Sequence, residues 1–267
     1  LKFTIPKFPN ASSLNSHIAE ASVHHRIFQG EIMRISVHFP VRRSVVLVAL
    51  AALLAVPSLF AQDLKPIQLP KPQTTGGKPL LQALDERKTA RAFENKPLPP
   101  QVLSNLLWAA FGVNRQPDVK PGYGRTAPSA RNAQDVTLYV LLADGVYIYD
   151  AVANVLKPVV AGDARAKVGT PAQASAPVTI AYVSDVKNDK YSSVDTGFIG
   201  QNVFLFAASE GLGAWFHAIH GDDASRALNL TADQHLLYAQ AVGYPGPNAY
   251  VVPPPPTAPP AAPPAAK

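Results

Sequence analysis

The alternation of apolar and polar positions divides this 267-residue chain into three stretches of different character. Between residues 79 and 245 the pattern moves between helical and strand periods, as expected of a folded core. A first helix is expected over 79–87, with Leu80, Leu81 and Leu84 on one face. A second begins at Pro99 or Pro100, since proline suits the first turn, and carries Val102, Leu103, Leu106, Leu107 and Ala110 until Gly112 stops it. Residues 114–128 form a polar loop long enough to serve a function. VTLYVLL at 136–142 is rich in strand formers, Asp144-Gly145 marks a turn, and 146–149 with 155–160 read as a hairpin. VTIAYV at 178–183 is apolar on both faces and predicts a central strand. Asp195 or Thr196 is placed to cap a long helix bearing Ile199, Val203, Phe206 and Ala207, ending at Gly211. Strands at 214–219 and 238–242, with a short helix near 222–228 between them, complete the pattern. Helices and strands mix without the regular alternation of a doubly wound sheet, which predicts one α+β domain.

The flanks differ from this core. Residues 1–32 show weak periodicity and read as an upstream extension of the reading frame ahead of Met33. From Met33 the order is cationic (Arg34, Arg42, Arg43), then an unbroken apolar run of 12 residues at 45–56, then small residues up to Ala61. This is the layout of a secretory signal peptide, too short to remain as a membrane span, so 33–61 is expected to be removed and the protein exported to a periplasm or beyond the cell. The pair Arg42-Arg43 partly matches a twin-arginine signal. Residues 62–78, rich in Pro, Gln and Gly, read as a linker that wraps the surface, and 246–267 as an extended Pro/Ala-rich tail serving as a tether.

Charge changes the picture once the leader is set aside. The whole chain carries 24 Lys/Arg and 18 Asp/Glu; residues 1–61 hold six of the former and two of the latter, so the remainder is close to neutral at +2. Nucleic acid is therefore not an expected partner. With no cysteine, disulfides, thiolate metal sites and cysteine nucleophiles are excluded.

Three segments hold the candidate chemistry. RKTARAF at 87–93 places Arg87, Lys88, Thr89 and Arg91 together, and arginine's fork of donors with a threonine hydroxyl suits a phosphate or another anion; a solvated basic patch is the plain alternative. PSARNAQD at 128–135 offers Ser129, Ala130 and Arg131 beside Asn132 and Gln134, whose amides each carry a donor and an acceptor for an imide-like edge, or merely satisfy a turn. In the segment 195–219, Gly197 and Gly200 suggest close packing, and Gln201 and Asn202 enter an apolar helix where they either meet a ligand or bridge helices. His217 and His220 are weak candidates for proton transfer; without a third ligand they predict no metal site.

In order and spacing these segments resemble the FMN-dependent nitroreductase family, and most closely its branch of dehydrogenases related to oxidases of peptide thiazolines and oxazolines. RKTARAF, LLWAAFG, RTAPSARNAQD, GVYIYDAVANVL and GFIGQNVFLFAASEGLGAW carry the resemblance, which spans 80–245. It implies a mixed, antiparallel sheet sandwiched by helices in an intertwined homodimer with FMN at the subunit interface. It further implies that Arg87, Thr89 and Arg91 bind FMN, with Lys88 adjacent. Asn132 would meet the pyrimidine edge, Ser129, Ala130 and Arg131 the flavin plane, Gln134 the ribityl chain, and the N–H groups of Ala218 and Ile219 flavin N5 and O4. The sequence departs from the family where a late Lys or Arg usually follows the final G-x-P; either FMN is held less tightly or Arg226 or Lys190 compensates. The reaction implied is ping-pong oxidoreduction of a small-molecule or peptide substrate with an unidentified electron donor. The alternative is a catalytically degenerate FMN- or partner-binding module with a proline tether.

Overall fold

A computed structural model describes residues 64–116, 123–185 and 190–251. The expected extension, signal peptide and most of the Pro/Ala tail lie outside the described residues. A seven-stranded antiparallel sheet, ordered β1-β6-β5-β4-β7-β9-β8, forms the centre. Its strands are β1 (Ile67–Gln68), β4 (Val136–Leu141), β5 (Gly145–Asp150), β6 (Val155–Ala161), β7 (Val178–Ser184), β8 (Gly213–His217) and β9 (His235–Gly243), and a small ribbon pairs β2 (Val113–Arg115) with β3 (Gly124–Arg125). Every residue of β7 is buried, as its two-sided apolar sequence requires of a central strand. The segment read as a linker contributes the edge strand β1, fastened where the Asn154 amide donates to the carbonyls of Leu69 and Pro70.

Helices α1 (Leu80–Glu86), α2 (Pro100–Phe111) and α5 (Ser192–Ser209) and the short α3 (Arg165–Val168), α4 (Pro171–Ala174) and α6 (Ala224–Ala227) complete the α+β fold. On one face of the sheet, Leu106 and Leu107 of α2 and Ile199 and Val203 of α5 pack with Val140, Ile180 and Val242. On the other, Val168, Ala224 and Leu228 cover Leu141, Ala181 and Ala239. Alternating strand residues thus feed two cores, which is why sheet and helices stack as layers.

The long helix begins three residues before the expected cap. Its N-cap is Tyr191, and Asp195 lies within its first turn with the carboxylate directed at a neighbouring loop, so a side chain that looked like a cap serves a tertiary contact instead. Gly211 takes φ +70° just past the helix, as expected of a left-handed terminator. Of the two helix glycines, Gly200 lies against the sheet, where a Cβ would come within 2.8 Å of the Phe216 ring, whereas Gly197 faces open space. The approach is closed by a buried polar chain in which the Tyr182 hydroxyl donates to Gln240 Oε1 (2.6 Å) and Gln240 Nε2 donates to the Gly200 carbonyl (3.2 Å). The expected apolar face of α1 does not enter the core: Ala83 is buried and Leu80, Leu81 and Leu84 are exposed.

Candidate functional site

At Arg87 the backbone turns out of the helix (φ −57°, ψ 120°) and runs extended beside the edge strand β8. Thr89 bridges Ala214 in parallel, and the Ala90 N–H donates to the Ala214 carbonyl (3.0 Å). Gly213 permits this approach, since a Cβ there would collide with Ala90. Arg87, Thr89 and Arg91 are half-buried, Lys88 is exposed and Ala90 is fully buried. The Arg91 guanidinium lies 5.1 Å over the Trp215 ring and its Nε is buried without a hydrogen-bond partner; Arg87 lies 5.4 Å over Phe204. An unpartnered buried guanidinium N–H is costly, and an acceptor from a bound anion or carbonyl would remove that cost.

The chain after the last strand folds back on this segment. The Glu94 N–H donates to the Tyr244 carbonyl (2.9 Å), the Gly246 N–H to Ala92 (3.0 Å), and Tyr250 comes to lie under Lys88. A notch of about 100 Å³ there is lined by Lys78, Glu86, Lys88 and Tyr250, among others. Lys78 Nζ pairs with Glu86 (2.5 Å) and donates to the Ala208 carbonyl (3.1 Å) at the end of α5. Hydrogen bonds from Lys78 and then Gln82 hold the Glu86 carboxyl below its ordinary pKa. Lys190 lies 4.8 Å over the Tyr191 ring and Arg226 lies in α6, whereas Lys78, which the sequence does not single out, lines the notch beside Lys88.

The second cluster is the turn at 129–134. Arg131 (φ 57°), Asn132 (φ 56°) and Gln134 (φ 50°) are all left-handed, a conformation that costs about 1–2 kcal/mol per non-glycine residue. Side chains hold it there. Both Asp195 carboxylate oxygens accept the Ala130 N–H (3.1 and 3.0 Å), and Ser129 Oγ accepts the Gln134 N–H (2.8 Å). The Gln134 amide is engaged at both ends: its oxygen accepts Arg125 Nε–H (2.7 Å), and its nitrogen donates to the Tyr123 carbonyl (2.6 Å) and to Asn132 Oδ1 (2.9 Å). Arg125 also donates to the Phe111 carbonyl (3.2 Å); burial lowers its pKa while Tyr149 and Asp150 oppose the shift. Arg131 and Asn132 are exposed, and the Arg131 guanidinium lies 5.5 Å over Tyr191.

Along α5, Asn202 bridges helices, donating to the Ala109 carbonyl (3.0 Å), whereas Gln201 is exposed. Beyond β8, Ala218 is exposed and Ile219 half-buried. Buried His217 bonds through Nδ1 to the Ala218 carbonyl (2.7 Å), its Nε2 has no partner, and His220 stacks on it at 5.9 Å. Burial, more than any other influence, lowers the His217 pKa.

Within one chain the two clusters stay apart: Arg87 meets α5 at Phe204 and Ala130 meets it at Asp195, about 13 Å apart along the helix axis. Among the described residues no group of three or more His, Asp or Glu is placed to hold a metal, and no helix is long and apolar enough to cross a membrane.

The chain is an α+β protein with an antiparallel sheet between helical layers, an unpartnered Arg91 Nε on the segment beside its edge strand and a strained amide-bearing turn. The family model described as Nitroreductase family matches residues 84–244. A candidate nitroreductase of Methanocaldococcus jannaschii is 28% identical over 180 residues, covering 60% of this chain and 88% of that protein. The crystal structure of a candidate nitroreductase from Ralstonia eutropha is similar with a TM-score of 0.61 at 32% identity, over 68% of this chain and 90% of that one. One from Anabaena variabilis shares the fold (TM-score 0.57, 18% identity), over 70% of this chain and 42% of that one. The chain belongs to the nitroreductase family of oxidoreductases.

Proposed function

We propose that this chain is an exported FMN-dependent oxidoreductase that works as a homodimer by a ping-pong mechanism, its domain at 79–245 following a removed leader and its proline-rich tail acting as a tether. The observation that carries the reading is the buried, unpartnered Nε of Arg91, in a short segment whose Arg87 and Thr89 are also half-buried. That donor set fits FMN, which has a phosphate, ribityl hydroxyls and an O2/N1 edge that accept hydrogen bonds. When bound, FMN supplies the redox chemistry between a donor and an acceptor that bind in turn. Arg91 holds positive charge and an N–H toward the flavin O2 side, Arg87 and Thr89 hold the phosphate and ribityl chain, and the Ala218 and Ile219 backbone faces N5 and O4. Asn132 reaches the pyrimidine edge from a second copy, since one chain keeps the two clusters apart. The exported setting favours a dehydrogenase of a small molecule or peptide, as in the thiazoline oxidase-like branch, as much as a nitroreductase, because soluble nicotinamide donors belong to the cytosol.

The purified full chain should show flavin absorbance that bleaches with anaerobic dithionite and release FMN on denaturation. A colourless protein that also fails to take up added FMN overturns the reading and favours the partner-binding alternative.

A further inference from the structure

The amide of Asn132 has two chemically opposite ends, and which end faces outward decides whether the turn offers a donor or an acceptor. In this chain the choice is imposed from behind. Arg125 has only N–H groups to give, and its Nε–H fixes the oxygen of the Gln134 amide (2.7 Å). The Gln134 nitrogen must then point the other way, where its two hydrogens meet the Tyr123 carbonyl (2.6 Å) and Asn132 Oδ1 (2.9 Å). With its oxygen tied down, Asn132 is left with its NH2 group at an exposed position. Arg125 is itself held by the Phe111 carbonyl (3.2 Å) and lies 5.0 Å over the Phe111 ring, so the series starts from an anchored guanidinium.

We infer that Arg125 and Gln134 are positioning residues that set the polarity of the Asn132 amide, so that the turn presents an N–H donor and selects a carbonyl acceptor. This rests on the proposed function, in which the acceptor is a carbonyl oxygen on the flavin pyrimidine ring. Reduction raises the electron density of that edge, so a fixed donor favours the reduced cofactor more than the oxidised one. Gln134 thereby acts through Asn132.

The test is a double-mutant cycle on the apo full chain, with FMN binding followed by quenching of flavin fluorescence. In Gln134→Glu the carboxylate still accepts from Arg125 but has no N–H for Asn132, whose amide turns over and presents its oxygen. FMN affinity should fall by at least tenfold, and in an Asn132→Ala background the same change should alter it less than twofold. Asn132→Asp, a change at an exposed position, presents an oxygen without disturbing Gln134 and should also weaken binding about tenfold. An undiminished Gln134→Glu effect in the Asn132→Ala background, or wild-type affinity in Asn132→Asp, overturns the inference and leaves the flavin reading standing. A wild-type chain that binds no FMN ends that reading. The polarity itself is then read from side-chain amide exchange by NMR, with slow Gln134 and fast Asn132 NH2 protons expected and the reverse order overturning it.

Discussion

Asp195 shows how a single side chain sustains a strained segment. Its two oxygens share the Ala130 N–H within the first turn of α5, where the helix dipole favours negative charge. Three left-handed residues follow on the loop it holds. Asp195→Ala should therefore cost about 1–3 kcal/mol in urea unfolding, the usual loss for a buried hydrogen bond with its partner stranded, and Asp195→Asn, which keeps an acceptor, clearly less. His217 gives a prediction with a pH sign. Burial lowers its folded pKa below the unfolded value, so the unfolded chain binds the extra proton first and stability rises with pH. That contribution is complete above the unfolded pKa and declines as pH falls through it towards the folded value. Melting temperature should climb from about pH 5 to pH 7, given an unfolded histidine pKa of about 6.5. His217→Gln should flatten the climb, and an identical profile in that variant would place the pH dependence elsewhere.

At the scale of elements, the two glycines of α5 make opposite predictions from the same substitution. Gly200→Ala forces a Cβ against Phe216 (2.8 Å) and Gln240 (3.3 Å) and should destabilise by about 1–3 kcal/mol, whereas Gly197→Ala meets nothing within 4 Å and should stabilise by up to about 1 kcal/mol. Chemical denaturation of the two variants checks the pair. The sequence marks both as helix glycines but says nothing of which faces the sheet, because that depends on the rotation of α5 about its axis. What was legible follows the same division. β4, β5, β6 and β7 were readable because strand formers and Asp-Gly turns are local signals, and α2 because its apolar period and terminal glycine agree. β1 was not, since two residues become a strand through Asn154, which lies 85 residues away from Leu69. The start of α5 was misplaced because Asp195 has the chemistry of a cap and a tertiary use. RKTARAF and the 129–134 turn stood out by composition, whereas Arg125 and Lys78 are ordinary cations until the fold sets their partners.

For the whole molecule, the question is what lies against the surface one chain leaves open. Leu81 of α1 is 79% exposed and Phe198 of α5 44%, with Leu80, Leu84 and Val194 also outward on these two helices, which pack on each other. Exposed apolar side chains on two adjoining helices make this face a candidate interaction surface. The proposed function gives that surface an occupant, a second copy that brings its amide turn to the first copy's arginine segment, the two clusters meeting α5 about 13 Å apart within one chain. Assembly and cofactor binding should then fail together. Placing glutamate at both positions, Leu81→Glu with Phe198→Glu, buries charge in any such interface while leaving the sheet core untouched, so the chain should stay folded by circular dichroism. Sedimentation should show the wild type as a dimer and the variant as a monomer, and FMN affinity should fall by at least a hundredfold with it. A monomeric variant that keeps wild-type FMN affinity would place a complete site within one chain and end the shared-site reading. A variant that remains dimeric would move the interface to another face.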